Sequence, residues 1–395
     1  MHTRRTGVLL GAAFLMATSA IGPGFLTQTA VFTERLGPSF AFAILISVLI
    51  DIVAQVSIWR VLTISGKRAT DVGNAVARGL GTLLAILVAL GGLAFNIGNV
   101  AGTGVGLEAA LGVPVTIGAV LSAAFAIAIF LIREAGKVMD RMSVVLGACL
   151  ILLTVYVAIT SQPPVAEAAL RSVWPTRVDA LSIVTIVGGT VGGYITFSGA
   201  HRLVDAGIHG LGAVQEVTRT AITAISAATV MRIVLFLAAL GVVHQGLALD
   251  PANPPGSVFR LATGAVGYRL FGVVMWTAAV TSLIGAAYTS VSFLRDLHPA
   301  IDRHWQRAVI VLIAFSTIVF VLTGRPARTM VVVGTLNGLI LPLALGTMLV
   351  AAHRTDIIGA YRQPRWLTAG GAVAAVAMAI AGAFVAWRDL PGLLR

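Results

Sequence analysis

Cysteine is nearly missing from this 395-residue chain, Cys149 being the single example. It lies in the apolar run 143–158, so disulfides, CxxC redox chemistry and cysteine-rich metal sites are excluded. Charge is scarce as well. Asp, Glu, Lys and Arg make up 11% of residues, against about 25% in an ordinary soluble domain. The 27 basic and 15 acidic side chains are too few to give two or three soluble domains a polar coat. HExxH and GxSxG signatures are absent, as is any P-loop or dinucleotide motif in a suitable context. The chain is therefore not read as an enzyme, and neither ATP nor a redox cofactor is implied. No Ser/Gly-rich linker, low-complexity tract or charge block divides it into domains.

What is present is hydrocarbon, at 58% of residues. Apolar stretches long enough to cross about 30 Å of lipid recur along the whole length. We count eleven, near 7–32, 39–62, 80–107, 113–132, 141–160, 180–200, 220–243, 263–292, 308–323, 329–350 and 368–387. Met1 to Ala20 resembles a signal peptide, but more membrane span follows it rather than a polar mature domain, so a first transmembrane helix is expected there. With the N-terminus inside, 17 Lys and Arg fall in cytoplasmic segments and nine in outer ones, with Arg232 alone in mid-span. That bias predicts an N-in, C-out protein of the cytoplasmic membrane. The formal charge of +12 thus reflects topology rather than nucleic-acid binding, and the lipid bilayer is the expected partner.

Two spans are interrupted. Span 1 carries Gly22-Pro23-Gly24 near its middle, and span 6 carries Gly188-Gly189 and Gly192-Gly193. Pro removes a backbone donor and Gly weakens helix. Backbone unwound at membrane depth must line a cavity or be covered by protein, because lipid satisfies neither N–H nor C=O. Spans 1 and 6 open two successive groups of five, and an odd group size inverts the second. The expected organisation is a first five-helix repeat over 1–160, an inverted second repeat over 180–350, and an additional helix at 368–387. Gly98, Gly102 and Gly106 of span 3 are expected to serve close helix packing instead.

Ile21-Gly22-Pro23-Gly24-Phe25-Leu26-Thr27-Gln28 resembles the Asp-Pro-Gly-Asn helix break of the NRAMP (natural resistance-associated macrophage protein) family of metal-ion transporters. Gln55 with Ser65-Gly66-Lys67, Gly189-Thr190-Val191-Gly192-Gly193-Tyr194 and Gly285-Ala286-Ala287-Tyr288-Thr289-Ser290 are similar to its spans 2, 6 and 8. The resemblance implies a LeuT-like fold, all helical, with broken helices 1 and 6, and proton-coupled divalent-metal transport. The family's metal-binding side chains do not carry over. Its Asp and Asn fall on Gly22 and Phe25, and its Met, Pro and His on Gly192, Gly193 and Tyr194. Spans 3 and 9 also lack the ionisable residues of its proton route. No side-chain metal site is expected, since backbone carbonyls alone are weak, unselective ligands for Mn²⁺ or Fe²⁺. Gly91 to Asn99 resembles a divergent bacterial branch often encoded beside 5-oxoprolinase subunits, which implies 5-oxoproline as cargo.

From the residues themselves, the substrate-binding candidates are Gly22, Gly24, Thr27, Gln28 and Thr29 after the first break. Gly192, Tyr194, Thr196 and Ser198 stand at the second. A helix restarting at Gly24-Phe25 turns unpaired N–H groups and the positive end of its dipole inward, which suits a carboxylate. The function expected is alternating-access transport of a small organic acid or zwitterion such as 5-oxoproline, the alternative being a divalent cation (Mn, Fe or Mg). Either H⁺ or Na⁺ stands as coupling ion. Asp51 and Arg232 lie mid-span, where a lone charge costs several kcal/mol, and are expected to pair as a structural clamp or a coupling element. Asn96, Asn99 and Asn337 are expected to hydrogen-bond within the core. His201, Asp205 and His209 lack compact zinc spacing. Thr190-Val191-Gly192-Gly193-Tyr194 has the wrong order for a potassium filter and sits inside a full span.

Overall fold

A computed structural model describes residues 7–9, 11–13, 16–17, 20–295 and 297–394, the side chains of 133–144 and 394 excepted. Every regular element among them is a helix. Arg4 and Arg5, the basic start of the signal-like segment, lie outside the described residues. The first half of span 1 is helical at 7–9, 11–13, 16–17 and 20, and the Ile21 N–H still donates to Ala17 O at 2.8 Å. The chain then breaks and restarts as α1 (Pro23–Leu36), passes a 3-10 turn (Gly37–Ser39) and continues as α2 (Phe40–Ser65). A short helix (Ala69–Val76) and three long ones complete the first half, the long ones being α3 (Leu80–Leu111), α4 (Val115–Leu131) and α5 (Arg133–Thr160). Span 6 is divided into α6 (Ala180–Gly188) and α7 (Ile195–Asp205). Beyond it run α8 (Val214–His244), α9 (Pro254–Arg295), α10 (Trp305–Thr323), α11 (Pro326–Ala351) and α12 (Arg365–Arg388).

Among the described residues, seven helical stretches are long and apolar enough to cross a membrane, with α1 and α2 joined as one of them. The other expected spans depart from that rule for identifiable reasons. α4 is apolar but 17 residues long, α6 and α7 are halves of one broken span, and α5 opens on the charged segment 133–141. The apolar part of α5 also turns through 103° into the short helix Val165–Val173. Together these account for the eleven expected spans. The longest polar stretches, 161–179, 201–219, 244–262, 294–307 and 351–367, are expected as loops from composition, yet each contains helix: Val165–Val173, the start of α8, the start of α9, Pro299–Arg303 and Thr355–Ile358. In α9, Pro254 and Pro255 occupy the first turn, where a missing N–H costs nothing. Gly264 (φ 68°, ψ −158°) then kinks the chain into span 8.

The interior divides into two apolar clusters. One takes α2, α6, α7 and α12, with Trp59, Phe197, Leu345 and Met378 among its members. The other takes α4, α5 and α10, with Ala123, Val157 and Ile313. Helices α1, α3, α8, α9 and α11 contribute to both, and Ile21 at the first break packs against both. The break therefore sits on the seam between two cores. Leu152, Leu322, Val373 and Ile380 face outward with Trp174, Trp366 and Trp387, the apolar and aromatic exterior that a lipid solvent favours.

The seam is held by small residues. A Cβ at Gly102 would run into the Pro23 ring, so α3 lies against the start of α1 only because position 102 has no side chain. Gly102→Val is expected to lower the detergent-solubilised melting temperature, by overpacking worth roughly 1–3 kcal/mol. Gly285→Ala, where nothing lies within 4 Å of the added carbon, is the control and should leave melting unchanged or raise it.

Candidate functional site

The site is built where the two broken spans meet. Gly22 enters with extended backbone (φ −101°, ψ −175°), Pro23 takes the first helical position of α1, and no side chain caps the helix. The first i→i−4 bond, Leu26 N–H to Gly22 O, is 3.3 Å long. The N–H groups of Gly24 and Phe25 precede it and have no acceptor within the helix, so they and the positive dipole end face the break. One turn on, Thr27 Oγ1 donates to Met330 Sδ at 3.1 Å. Gln28 Nε2 donates to Met330 O at 2.9 Å. Gln28 lies between Gly189 and Gly334, where an added Cβ at either would strike its amide. Its Oε1 is buried without a partner. Thr29 Oγ1 is spent inside α1, donating to Phe25 O at 2.7 Å.

At the second break, the N–H groups of Gly189, Thr190 and Val191 fold back onto Thr185 and Val187 carbonyls. Gly193 then adopts a left-handed conformation (φ 53°), and Asn337 Oδ1 fills the volume a side chain there would need. Asn337 Nδ2 donates to Gly91 O at 3.1 Å and to Val333 O at 2.9 Å. That amide ties α3 and α11 beside the unwound segment, the core role expected for it. Gly192 packs on Gly188 and the Asn337 carbonyl, so close backbone packing explains its small size. Tyr194 is buried with its ring edge on Phe95 (centroids 5.3 Å, 81°). Thr196 O accepts from Trp59 Nε1 at 2.7 Å, while Thr196 Oγ1 has no partner. Ser198 Oγ is spent on Ile195 O at 2.8 Å.

Phe95 meets Tyr194 and Gly102 meets Pro23. Seven residues apart, they lie on one face of α3, and Asn99 shares that face. Asn99 Nδ2 and both amide atoms of Asn96 are buried without partners. Core hydrogen bonding, expected for these two residues, is therefore not made by those atoms. Asn99 stands between the two breaks, a placement that one helix's spacing could not reveal without knowing what α3 packs against. Met330 was also missed. Its thioether reaches Thr27 from span 10, a helix without a break to draw attention to it.

Asp51 on α2 and Arg232 on α8 are 1% and 2% exposed. They do not form a contact ion pair. Each faces the end of α6 instead. Arg232 Nη1 donates to Ile186 O at 3.5 Å, and Thr190 Oγ1 donates to the same carbonyl at 2.7 Å. Asp51 stands beside the Thr190 hydroxyl, within the electrostatic reach of Arg232. The guanidinium carbon sits 4.2 Å over the Phe25 ring. Asp51 Oδ1, Arg232 Nε and Arg232 Nη2 have no partner.

Among the described residues no three His, Cys, Asp or Glu side chains converge. Donors around the breaks that a cation could use include the Met330 thioether, the Gln28, Asn96 and Asn337 amide oxygens and the Asp51 carboxylate. Toward the C-terminal end of α7, His201 Nε2 accepts from the Ala69 N–H at 3.2 Å. Asp205 pairs with Arg68 at 3.2 Å, and His209 lies against Gly66, so these three side chains are engaged separately.

A family model described as natural resistance-associated macrophage protein-like matches residues 13–388. The uncharacterized membrane protein YcsG of Bacillus subtilis (strain 168) is 54% identical over 386 residues, covering 98% of this chain and 96% of its own length. An uncharacterized membrane protein of Haemophilus influenzae is 55% identical over 378 residues, covering 96% and 95%. In fold, the chain is similar to the manganese transporter of Eremococcus coleocola, with a TM-score of 0.74 at 15% identity, covering 100% and 88%. It is also similar to MhsT in complex with L-phenylalanine, with a TM-score of 0.66 at 15% identity, covering 94% and 97%.

If Asp51 and Arg232 compensate each other's burial without touching, Arg232→Gln alone should lower the melting temperature by several degrees. Asp51→Asn/Arg232→Gln should recover part of that loss. A double variant no more stable than the worse single one would show that the two charges are independent.

Proposed function

The chain belongs to the natural resistance-associated macrophage protein (NRAMP) family, and from that premise we propose that it carries a small organic acid or zwitterion, such as 5-oxoproline, across the cytoplasmic membrane by alternating access. The observation that carries this reading is the first break. Where the family has Asp and Asn this chain has Gly22 and Phe25, and what faces the seam is the uncapped, electropositive start of α1. Such an end receives a carboxylate and repels a bare cation. Gln28 Oε1, an acceptor without a donor, is placed to take an N–H from the same solute.

Every side chain proposed to bind is less than one-tenth exposed, so the site is closed in this conformation. Access requires the two apolar clusters to move relative to one another across the seam, with the unwound segments of spans 1 and 6 absorbing the change. The repeats proposed to move are residues 1–160 and 180–350, with 368–387 as an added helix, the N-terminus inside and the C-terminus outside.

A divalent cation is the second reading, favoured by the likeness in fold to a manganese transporter and by the Met330 thioether beside Thr27. Thermal stabilisation separates the two, because a ligand selective for the native state raises its melting temperature as concentration exceeds Kd. Across Mn²⁺, Fe²⁺, Mg²⁺, 5-oxoproline and related small acids, we expect a shift with an acid that Gln28→Ala removes. A shift with metal alone, lost in Met330→Ala, would replace the organic solute with a cation.

A further inference from the structure

Arg232 is the cation of the seam, and it is not spent. A guanidinium offers five N–H donors in a rigid fork. One of them reaches Ile186 O at 3.5 Å, the outer limit of a hydrogen bond. Nε and Nη2 have no acceptor although the residue is 98% buried. The Phe25 ring lies 4.2 Å beneath the guanidinium carbon and contacts it through its face. Phe25 also carries one of the free N–H groups at the start of α1. The unspent fork and the uncapped helix end therefore meet at one residue.

We propose that Arg232 binds the carboxylate of the transported solute, and that this carboxylate takes over from Asp51 as its counter-charge while Asp51 takes up a proton. The inference rests on the organic-acid reading above and adds to it the receptor group and the coupled ion.

Charge must balance within the seam. With the site empty, one buried cation and one buried carboxylate face each other across Thr190 and the Ile186 carbonyl without contact. Where Asp51 is ionised, the two charges cancel at a distance, so the seam is neutral while the donors of Arg232 stay free. An entering carboxylate brings a second negative charge into a region walled by apolar clusters, where an uncompensated charge costs several kcal/mol. Neutrality returns if a proton from the compartment to which the site is open adds to Asp51. Arg232 is the charged group facing Asp51, and the Thr190 hydroxyl is the polar one. A single hydroxyl beside a carboxylate offers too few oxygens for a hard cation of the Ca²⁺ or Mg²⁺ kind, which takes six or more. A proton needs none. The prediction is one proton carried with one anion.

The test is binding and uptake by the full-length protein, using 5-oxoproline, lactate and alanine as probes, with the primary amide of 5-oxoproline as the uncharged comparison. For wild type, affinity for the acid should rise close to tenfold for each unit by which pH falls, in the range where Asp51 is ionised in the empty site. Titration in buffers of different ionisation enthalpy should show about one proton taken up per anion bound. The amide should bind at least tenfold more weakly, and with no proton uptake. Asp51→Asn, which carries a neutral side chain permanently, should bind the acid with no dependence on pH. Arg232→Lys keeps the charge but loses the fork, and should weaken acid binding roughly 10- to 100-fold while leaving the weak amide binding as it was.

An Arg232→Lys protein that binds the acid as wild type does would overturn the receptor assignment and leave the organic-acid reading standing. Equal affinity for acid and amide in wild type, a measurement that needs no variant to fold, would do the same. Acid binding that follows Na⁺ at fixed pH, or whose pH dependence survives in Asp51→Asn, would overturn the proton assignment. A wild type that responds to no acid but to Mn²⁺ or Mg²⁺ would remove the reading on which the proposal rests.

Discussion

A peptide N–H or C=O in hydrocarbon has no water to bond, and leaving it bare costs several kcal/mol. Two spans of this protein are unwound at membrane depth, and the arrangement of the other helices follows from having to cover them. α11 presents backbone and an asparagine to the break in span 6, and α3 presents Gly102 to Pro23 at the break in span 1. The Asn337 amide joins the helices that do the covering. Small residues are needed at these contacts because backbone must approach backbone, and a methyl group at Gly188 or Gly102 would already hold the helices apart.

Covering the breaks does not satisfy every polar atom. Gln28, Asp51, Asn96, Asn99, Thr196 and Arg232 each keep a buried atom without a partner. In most proteins buried polar side chains find partners within the chain, so such a concentration between two apolar clusters signals atoms reserved for something else. In the transport proposed above, a solute entering the seam would supply the missing partners and its departure would restore the closed arrangement.

Electrostatics is the ground for the proposed cargo. At the first break the chain has glycine and phenylalanine in place of carboxylate and amide, so the helix dipole and the guanidinium of Arg232 are not opposed by an adjacent acid. Among the described residues Asp51 is the single buried carboxylate, and it stands across the Thr190 hydroxyl rather than in contact with the arginine. The field at the start of α1 is positive and the field at Asp51 is negative. A molecule or ion pair that carries both signs matches that pattern, whereas a lone divalent cation meets only half of it.

The number of spans, most of their ends to within a few residues, the two interruptions and the membrane setting were legible in the amino-acid order. They depend on apolar length, on charge between the spans and on Pro and Gly, which act locally. The family was legible too, through the Gly22-Pro23-Gly24 segment and the glycines of span 6. The helices at Val165–Val173, Pro299–Arg303 and Thr355–Ile358, and the start of α9, were hidden, because short segments rich in polar residues resemble loops in composition. The sequence also named Gln28 and Thr196, whose amide oxygen and hydroxyl respectively remain free, together with Thr29 and Ser198, whose hydroxyls bond within their own helices. Local polarity alone could not separate those two groups. Tertiary structure alone decided that Met330 reaches Thr27, that Asn99 faces both breaks, and that Asp51 and Arg232 flank the end of α6 without touching. Each of these depends on how helices distant in sequence are rotated against one another, and that rotation is set by the close packing of small residues across the whole seam.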